Sequence, residues 1–262
     1  MLRSMYSGIS GMKANQTKMD VVGNNVANVG TTAFKKSSVR FTDALNQSMI
    51  YASAPSNNIG GINPGQVGIG TKVSGIFDSM TQGSLQATSR PTDLAIDGDG
   101  FFVVDLGDNT RGFTRDGSFN IDSNGDLVTA QGYRILDENG DKITIDLNEY
   151  LSFNISKEGK ISGVKKDGTT EDISTINVTT FQNPEGLESI GGNIYTATVS
   201  SGNPVNASDT AGSVIQGAIE MSNVDLSEEF TEMLVTTRAF QAAGKVITTS
   251  DELLQEIINL KR

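Results

Sequence analysis

The chain has 262 residues, 29 of them glycine, a formal net charge of -11, and no cysteine, histidine or tryptophan. Without cysteine there are no disulfides and no thiolate-held zinc or iron–sulfur centres; without histidine the commonest general base and metal ligand is missing. The acidic residues are scattered, and an acidic surface repels phosphate backbones, so nucleic acid is excluded as an expected partner.

The first predicted element is a helix. Apolar residues fall at Leu2, Met5, Ile9, Met12, Met19 and Val26, with Gln16 and Gly23 in the two remaining places. Steps of three and four make a heptad seam. Gly8, Gly11 and Gly23 each weaken the helix by about 1 kcal/mol relative to alanine, so it needs packing partners. Gly30 is the expected stop. This end has no continuous apolar stretch of the kind a cleaved signal peptide carries, and no run in the chain approaches the roughly 20 apolar residues of a membrane-spanning helix.

Residues 46–70 are rich in Gly, Ser, Asn and Pro and read as an extended linker or long loop. From about residue 70 to 215 the pattern is β. Strand-like runs occur at 94–96, 101–104, 143–145, 176–178 and 194–198. Asp116-Gly117, Asn124-Gly125, Asn139-Gly140 and Asp167-Gly168 lie between such runs and predict tight hairpin turns. Short turns with no long helical pattern between strands favour an antiparallel arrangement.

Motifs that would carry chemistry fail at their decisive positions. Gly65, Gly68 and Gly70 lead to Thr71-Lys72, but a phosphate loop needs the lysine directly after its last glycine. Asp122, Asn124 and Asp126 open like a calcium loop, yet Leu127 stands where the turn needs glycine and Tyr133 where a bidentate glutamate belongs. No catalytic, cofactor-binding or metal-binding residue is assigned, and no small-molecule substrate is expected.

The last predicted element is a second helix. Ser222 and Asp225, three apart, resemble a capping box. Leu226, Phe230, Met233, Phe240, Ile247, Leu254 and Ile258 follow at seam spacing, interrupted at Thr237, Gly244 and Asp251. A second stripe, Val246, Leu253, Ile257 and Leu260, runs beside the first. Such seams must be buried. A helical pair closing on its own β domain and packing onto neighbouring chains both satisfy that requirement, and a heterologous contact that does not close gives a helical filament.

Particular residues resemble those of a known family. Met19-Asp20-Val21-Val22-Gly23-Asn24-Asn25-Val26-Ala27-Asn28-Val29, continuing through Thr31 to Phe34-Lys35, is similar to the N-terminal block of the axial proteins of the bacterial flagellum, the rod–hook family. The family usually has glycine where Ala33 stands. Ser222-Asn223-Val224-Asp225-Leu226, with Glu229, Met233, Arg238, Phe240 and Gln241, resembles its C-terminal block, departing at Thr237 and Ala243. Asp93–Ile96, Gly100–Phe102, Thr114–Phe119 and Gly186–Tyr195 match the middle, so the likeness covers nearly the whole chain.

The resemblance implies a helical tube with the terminal helices inside and the β domain outside. It implies an α+β fold: N- and C-terminal helices form a coiled-coil core domain, 1–35 with 220–262; 36–75 is an extended connector; and 76–219 is a mainly antiparallel β-rich outer domain. Leu2, Met5, Ile9, Met12, Met19, Val26, Phe230, Met233, Phe240, Ile247, Leu254 and Ile258 are the expected assembly interface. The implied partners are other copies of the chain, adjoining rod, hook-cap and hook–filament junction proteins, and the flagellar type III export apparatus, with export from the cell without a cleaved signal. Within the family the hook subunit is the leading reading and the distal-rod subunit the alternative. An adhesin-like β module on a helical stalk and a carboxylate hydrolase are the competing classes.

Overall fold

The computed structural model describes residues 2–55, 60–107, 110–146, 149–206 and 212–260. It divides into two compact units: a helical one containing residues up to 27, 37–78 and those from 225 onward, and a β unit containing 28–36 and 79–224. The fold class is α+β, with a helix at each end and antiparallel strands between.

In the helical unit, α1 (Leu2–Ala27) and α2 (Leu226–Leu260) lie antiparallel, with Ser4 hydrogen-bonded to Ser250 and Asn25 to Glu229. The expected capping box at the start of α2 takes a different form. Asp225 is itself the cap, its Oδ1 accepting the Ser227 and Glu228 amides at 2.8 and 3.4 Å, while Ser222 Oγ accepts only the Val224 amide.

Two of the three glycines of α1, Gly8 and Gly11, serve close approach, whereas a Cβ on Gly23 would meet nothing within 4 Å. A Cβ on Gly8 would lie 3.0 Å from Ile247 Cγ1 and 3.2 Å from the Ala243 carbonyl, and one on Gly11 would touch Ala243 Cβ. The helix propensity lost at these positions is recovered as backbone proximity between the two helices.

The stretch 36–75, expected from the resemblance to be an extended connector and read from composition as a linker over 46–70, is largely a two-stranded ribbon. Strand β1 (Ser37–Asp43) pairs with β4 (Thr71–Asp78), and β2 (Asn46–Ile50) with β3 (Gly65–Gly68). The Ala44 amide to the Gly70 carbonyl and the Ile69 amide to the Leu45 carbonyl join the two ladders, and Ser53 bridges Ile62 beyond them. Gly, Ser and Asn look like turn residues, but a ladder needs only backbone donors and acceptors. Residues 56–59 of the supposed linker lie outside the described residues.

The β unit is centred on Phe101–Asp105. Its largest sheet runs 188–191, 194–196, 111–114, 101–105, 134–135, 127–128, 120–121, with 178–180 on a side path. Residues 150–155, 160–165 and 170–175 form a separate three-stranded sheet. Both faces of Phe101–Val104 are covered. Phe102 and Val104 pack with Leu94, Ile96 and Phe119, while Phe101 and Val103 pack with Phe113 and Phe181. The period of two therefore sends each half of one apolar run into a different cluster. Phe102 meets Phe119 edge-on at 5.2 Å and Phe113 meets Phe181 at 4.8 Å. Residues 143–145 carry an isolated bridge rather than a full strand, with Ile143 and Ile145 both buried.

One loop geometry recurs. At Gly125, Gly132, Gly140, Gly159 and Gly168 the glycine amide donates to the carbonyl three residues back, and φ lies between +78° and +90°. These are three-residue hairpin loops closed by a left-handed glycine. Asn124, Asn139 and Asp167 keep ordinary negative φ. Asp116-Gly117 departs from the expectation, because Gly117 does not have positive φ. A Cβ there would fall 1.6 Å from the Leu94 carbonyl, so that glycine is required for space.

Candidate assembly surface

The helix pair closes on a face rotated from the expected seam. The positions in contact or buried on α1 are Ser4, Gly8, Gly11, Met12, Ala14, Lys18, Val22 and Asn25; all but Met12 and Ala14 lie one residue before a position of the apolar seam. One residue is about 100° of rotation. The facing positions on α2 include Glu229, Glu232, Thr236, Ala243, Ile247 and Ser250. Small and polar groups thus join the two helices together with Met12, Val22 and Ile247, and Lys18 pairs with Glu232 among them.

The consequence is that apolar side chains face outward. Of the expected assembly residues, Leu2 is 68% exposed, Phe230 51% and Ile258 63%, with Ile9 and Phe240 also exposed. Met5, Met12, Met19, Val26, Met233, Ile247 and Leu254 are partly buried. Met12 lies near Gly244, and Ile247 lies over Gly8, so these two belong to the helix pair itself. The second stripe, Val246, Leu253, Ile257 and Leu260, is exposed along its length. Tyr6, Leu234 and Val235 join this surface without having been singled out in the sequence. Tyr6 was legible, since it sits between Leu2 and Ile9 at steps of four and three. Burying an exposed Leu, Ile, Val or Phe of this kind stabilises by roughly 1.5–3 kcal/mol per side chain.

The β unit buries the carboxylates of Glu220 and Asp126 against cationic side chains. Lys35 Nζ sits 2.6 Å from Glu220 Oε1, and Arg115 Nη1 sits 3.3 Å from Glu220 Oε2, all three side chains being buried. Burial pushes the Lys35 ammonium below its ordinary pKa, against the pull of Glu220. Asp126, which opened the failed calcium motif at its far end, is buried against Lys142, Arg134 and Thr144. Burial alone would raise its pKa; hydrogen bonds from Thr144 and Lys142 and the charges of Lys142 and Arg134 hold it below the usual carboxylate value. Among the described residues no three acidic side chains gather as metal ligands would.

Three family models match this chain. Residues 95–163 match the flagellar hook protein FlgE/F/G D1 domain, residues 215–260 the flagellar basal body rod FlgEFG protein C-terminal region, and residues 5–35 the flagella basal body rod protein model. The flagellar basal-body rod protein FlgG of Bacillus subtilis is 49% identical over 267 aligned positions, covering all of both chains. The chain belongs to the flagellar rod–hook family. A second rod–hook relative, the FlgG rod protein of Borreliella burgdorferi, is 41% identical, again over the whole of both chains. The flagellar hook protein FlgE of the same organism is 27% identical, and its alignment needs 443 positions.

As a member of the rod–hook family, the chain is a structural, polymerising subunit of the bacterial flagellum and not an enzyme. The order of preference within the family is corrected. The hook reading led in the sequence, but the relatives that match end to end with few gaps are named as rod proteins.

Proposed function

We propose that this chain is the distal-rod subunit of the flagellar basal body, stacking into a helical tube that carries torque outward. The observation that carries this reading is the full-length match, at 49% and 41% identity, to proteins named as basal-body rod proteins. The alignment lengths add support: 267 positions suffice for the rod protein, against 443 for the hook protein.

The proposed mechanism is mechanical. Leu2, Ile9, Phe230, Phe240 and Ile258, exposed on the helix pair, bury against the helices of neighbouring copies, and the partly buried Met5, Met12, Met19, Val26, Met233, Ile247 and Leu254 flank those contacts. A contact surface that differs from the surface it meets yields a filament when its repeated rotation does not close into a ring. Adjoining rod, hook-cap and hook–filament junction proteins are the proposed neighbours at the ends of that filament. The type III export apparatus is the proposed route to it, without a cleaved signal.

Electron microscopy of basal bodies from cells lacking this chain tests the assignment. Truncated rods are expected. A complete rod without a hook would assign the chain to the hook instead.

A further inference from the structure

The chain crosses between the β unit and the helical unit four times, and Asn28, Lys36, Ser79 and Val224 are the terminal residues of the β unit at those crossings. The backbone at the last three is irregular: residues 34–36, 79–84 and 221–224 belong to no helix or strand. Their polar groups therefore need partners from outside any ladder.

A single side chain supplies several of them. Asn223 Oδ1 accepts the Lys36 amide at 2.8 Å. Its Nδ2 donates to the Ser79 carbonyl at 2.8 Å and to Thr81 Oγ1 at 2.9 Å. The Ser79 amide closes the ring by donating to the Lys36 carbonyl at 2.8 Å. Only a carboxamide offers an acceptor and two donors from one short plane; aspartate lacks the donors and leucine lacks both.

Glu220 ties the same segments a second time. Its backbone carbonyl accepts the Ala33 amide at 2.8 Å, and Oε1 accepts Lys35 Nζ at 2.6 Å and the Gly83 amide at 2.8 Å. Lys35 also donates to the Thr81 carbonyl at 2.8 Å, and Arg115 fixes the other carboxylate oxygen. Every one of these residues belongs to the β unit. Asn223, Lys35 and Arg115 all lie in the sequence blocks that carry the family likeness.

We propose that Asn223, backed by Glu220, is a clasp that holds three outgoing connections of the β unit in one fixed order, so that load reaching this unit passes into all three together. Three loose connections would each stretch separately, and the shortest would bear the load alone. Clasped, they move as one. The inference rests on the structural role of the family and is indifferent to whether the polymer is rod or hook.

The test uses the full chain carrying Asn223→Ala and, separately, Asn223→Asp. In Asn223→Ala the Lys36 amide is expected to exchange its hydrogen at least about tenfold faster, with the Phe102, Val104 and Phe113 amides unchanged. Asn223→Asp keeps the acceptor for the Lys36 amide and loses only the donors to the Ser79 carbonyl and Thr81 Oγ1, so the Lys36 amide stays protected in that variant. Cells carrying Asn223→Ala are expected to build flagella in normal number and to lose about half or more of their swimming speed in thickened medium. Equal acceleration of the core amides would overturn the proposal by making Asn223 a general support of the β fold. Unchanged swimming in thick medium, or flagella missing altogether, would overturn it as well.

Discussion

Asn25 donates from Nδ2 to Glu229 Oε2 at 3.1 Å, in the buried contact between α1 and α2. The same amide brackets Ser37, donating to its carbonyl at 2.9 Å and accepting its amide at 3.0 Å. One side chain therefore joins α1, α2 and the first residue of the ribbon.

Asn25→Ala strands a buried carboxylate oxygen and both polar groups of Ser37. A buried unsatisfied group costs about 1–3 kcal/mol, so the expected loss is roughly 3 kcal/mol, confined to the helical unit. Urea unfolding followed by helical circular dichroism checks it, with near-ultraviolet signals of the β unit as the internal control.

A charged residue at position 9 should stop polymerisation. Ile9 is exposed on α1, so Ile9→Asp costs the isolated chain little, within about 0.5 kcal/mol. Buried against a neighbouring copy, the same carboxylate would be unpaired. Sedimentation and electron microscopy are expected to show monomer with a folded β unit. Normal filaments would remove Ile9 from the assembly interface.

Ala33 occupies a left-handed conformation, φ +54°, with its methyl 1% exposed and its amide bound to Glu220. That conformation costs alanine roughly 1–2 kcal/mol, while the buried methyl contributes about 0.8 kcal/mol. Ala33→Gly is therefore expected to change stability by less than about 1 kcal/mol. Ala33→Val, β-branched and too large for the site, should cost about 2 kcal/mol or more. Thermal melts of the two variants make the comparison.

Asp126 predicts an acid limb to stability. Its folded pKa lies below the ordinary carboxylate value of 3.8, so its contribution is fully present above that value. It is lost as the pH falls through the lower, folded pKa, because the unfolded state takes up the proton first. Stability should decline from about pH 5 downward. Asp126→Asn should lower stability at neutral pH and flatten the decline, measured as urea midpoints between neutral pH and pH 3. An unchanged slope would show that other carboxylates control the acid limb.

Single residues show where reading the sequence stopped short. The steps Leu2, Met5, Ile9, Met12 gave the correct helix and the correct period, but the helix pair closed one residue away, on Ser4, Gly8 and Gly11. Apolar pattern reports which side chains need burial, and says nothing about whether the partner is the same chain. The glycines counted as weakness because helix propensity is a local quantity; the close approach of Ala243 to Gly8 is not. Gly65 and Gly68 looked like linker residues because a ladder formed by backbone groups leaves little mark on composition.

By itself the sequence determined the order of elements, helix, β region, helix, since periods of 3.6 and 2 are local and survive without tertiary context. It also settled the family, because Met19–Val29 and Ser222–Leu226 are specific words. Only the tertiary structure decided what those words do. It put Asn25 beside Glu229 and Asn223 beside Lys36 and Ser79, pairs far apart along the chain. Those bonds depend on distances set by packing, and no periodicity along the chain encodes them.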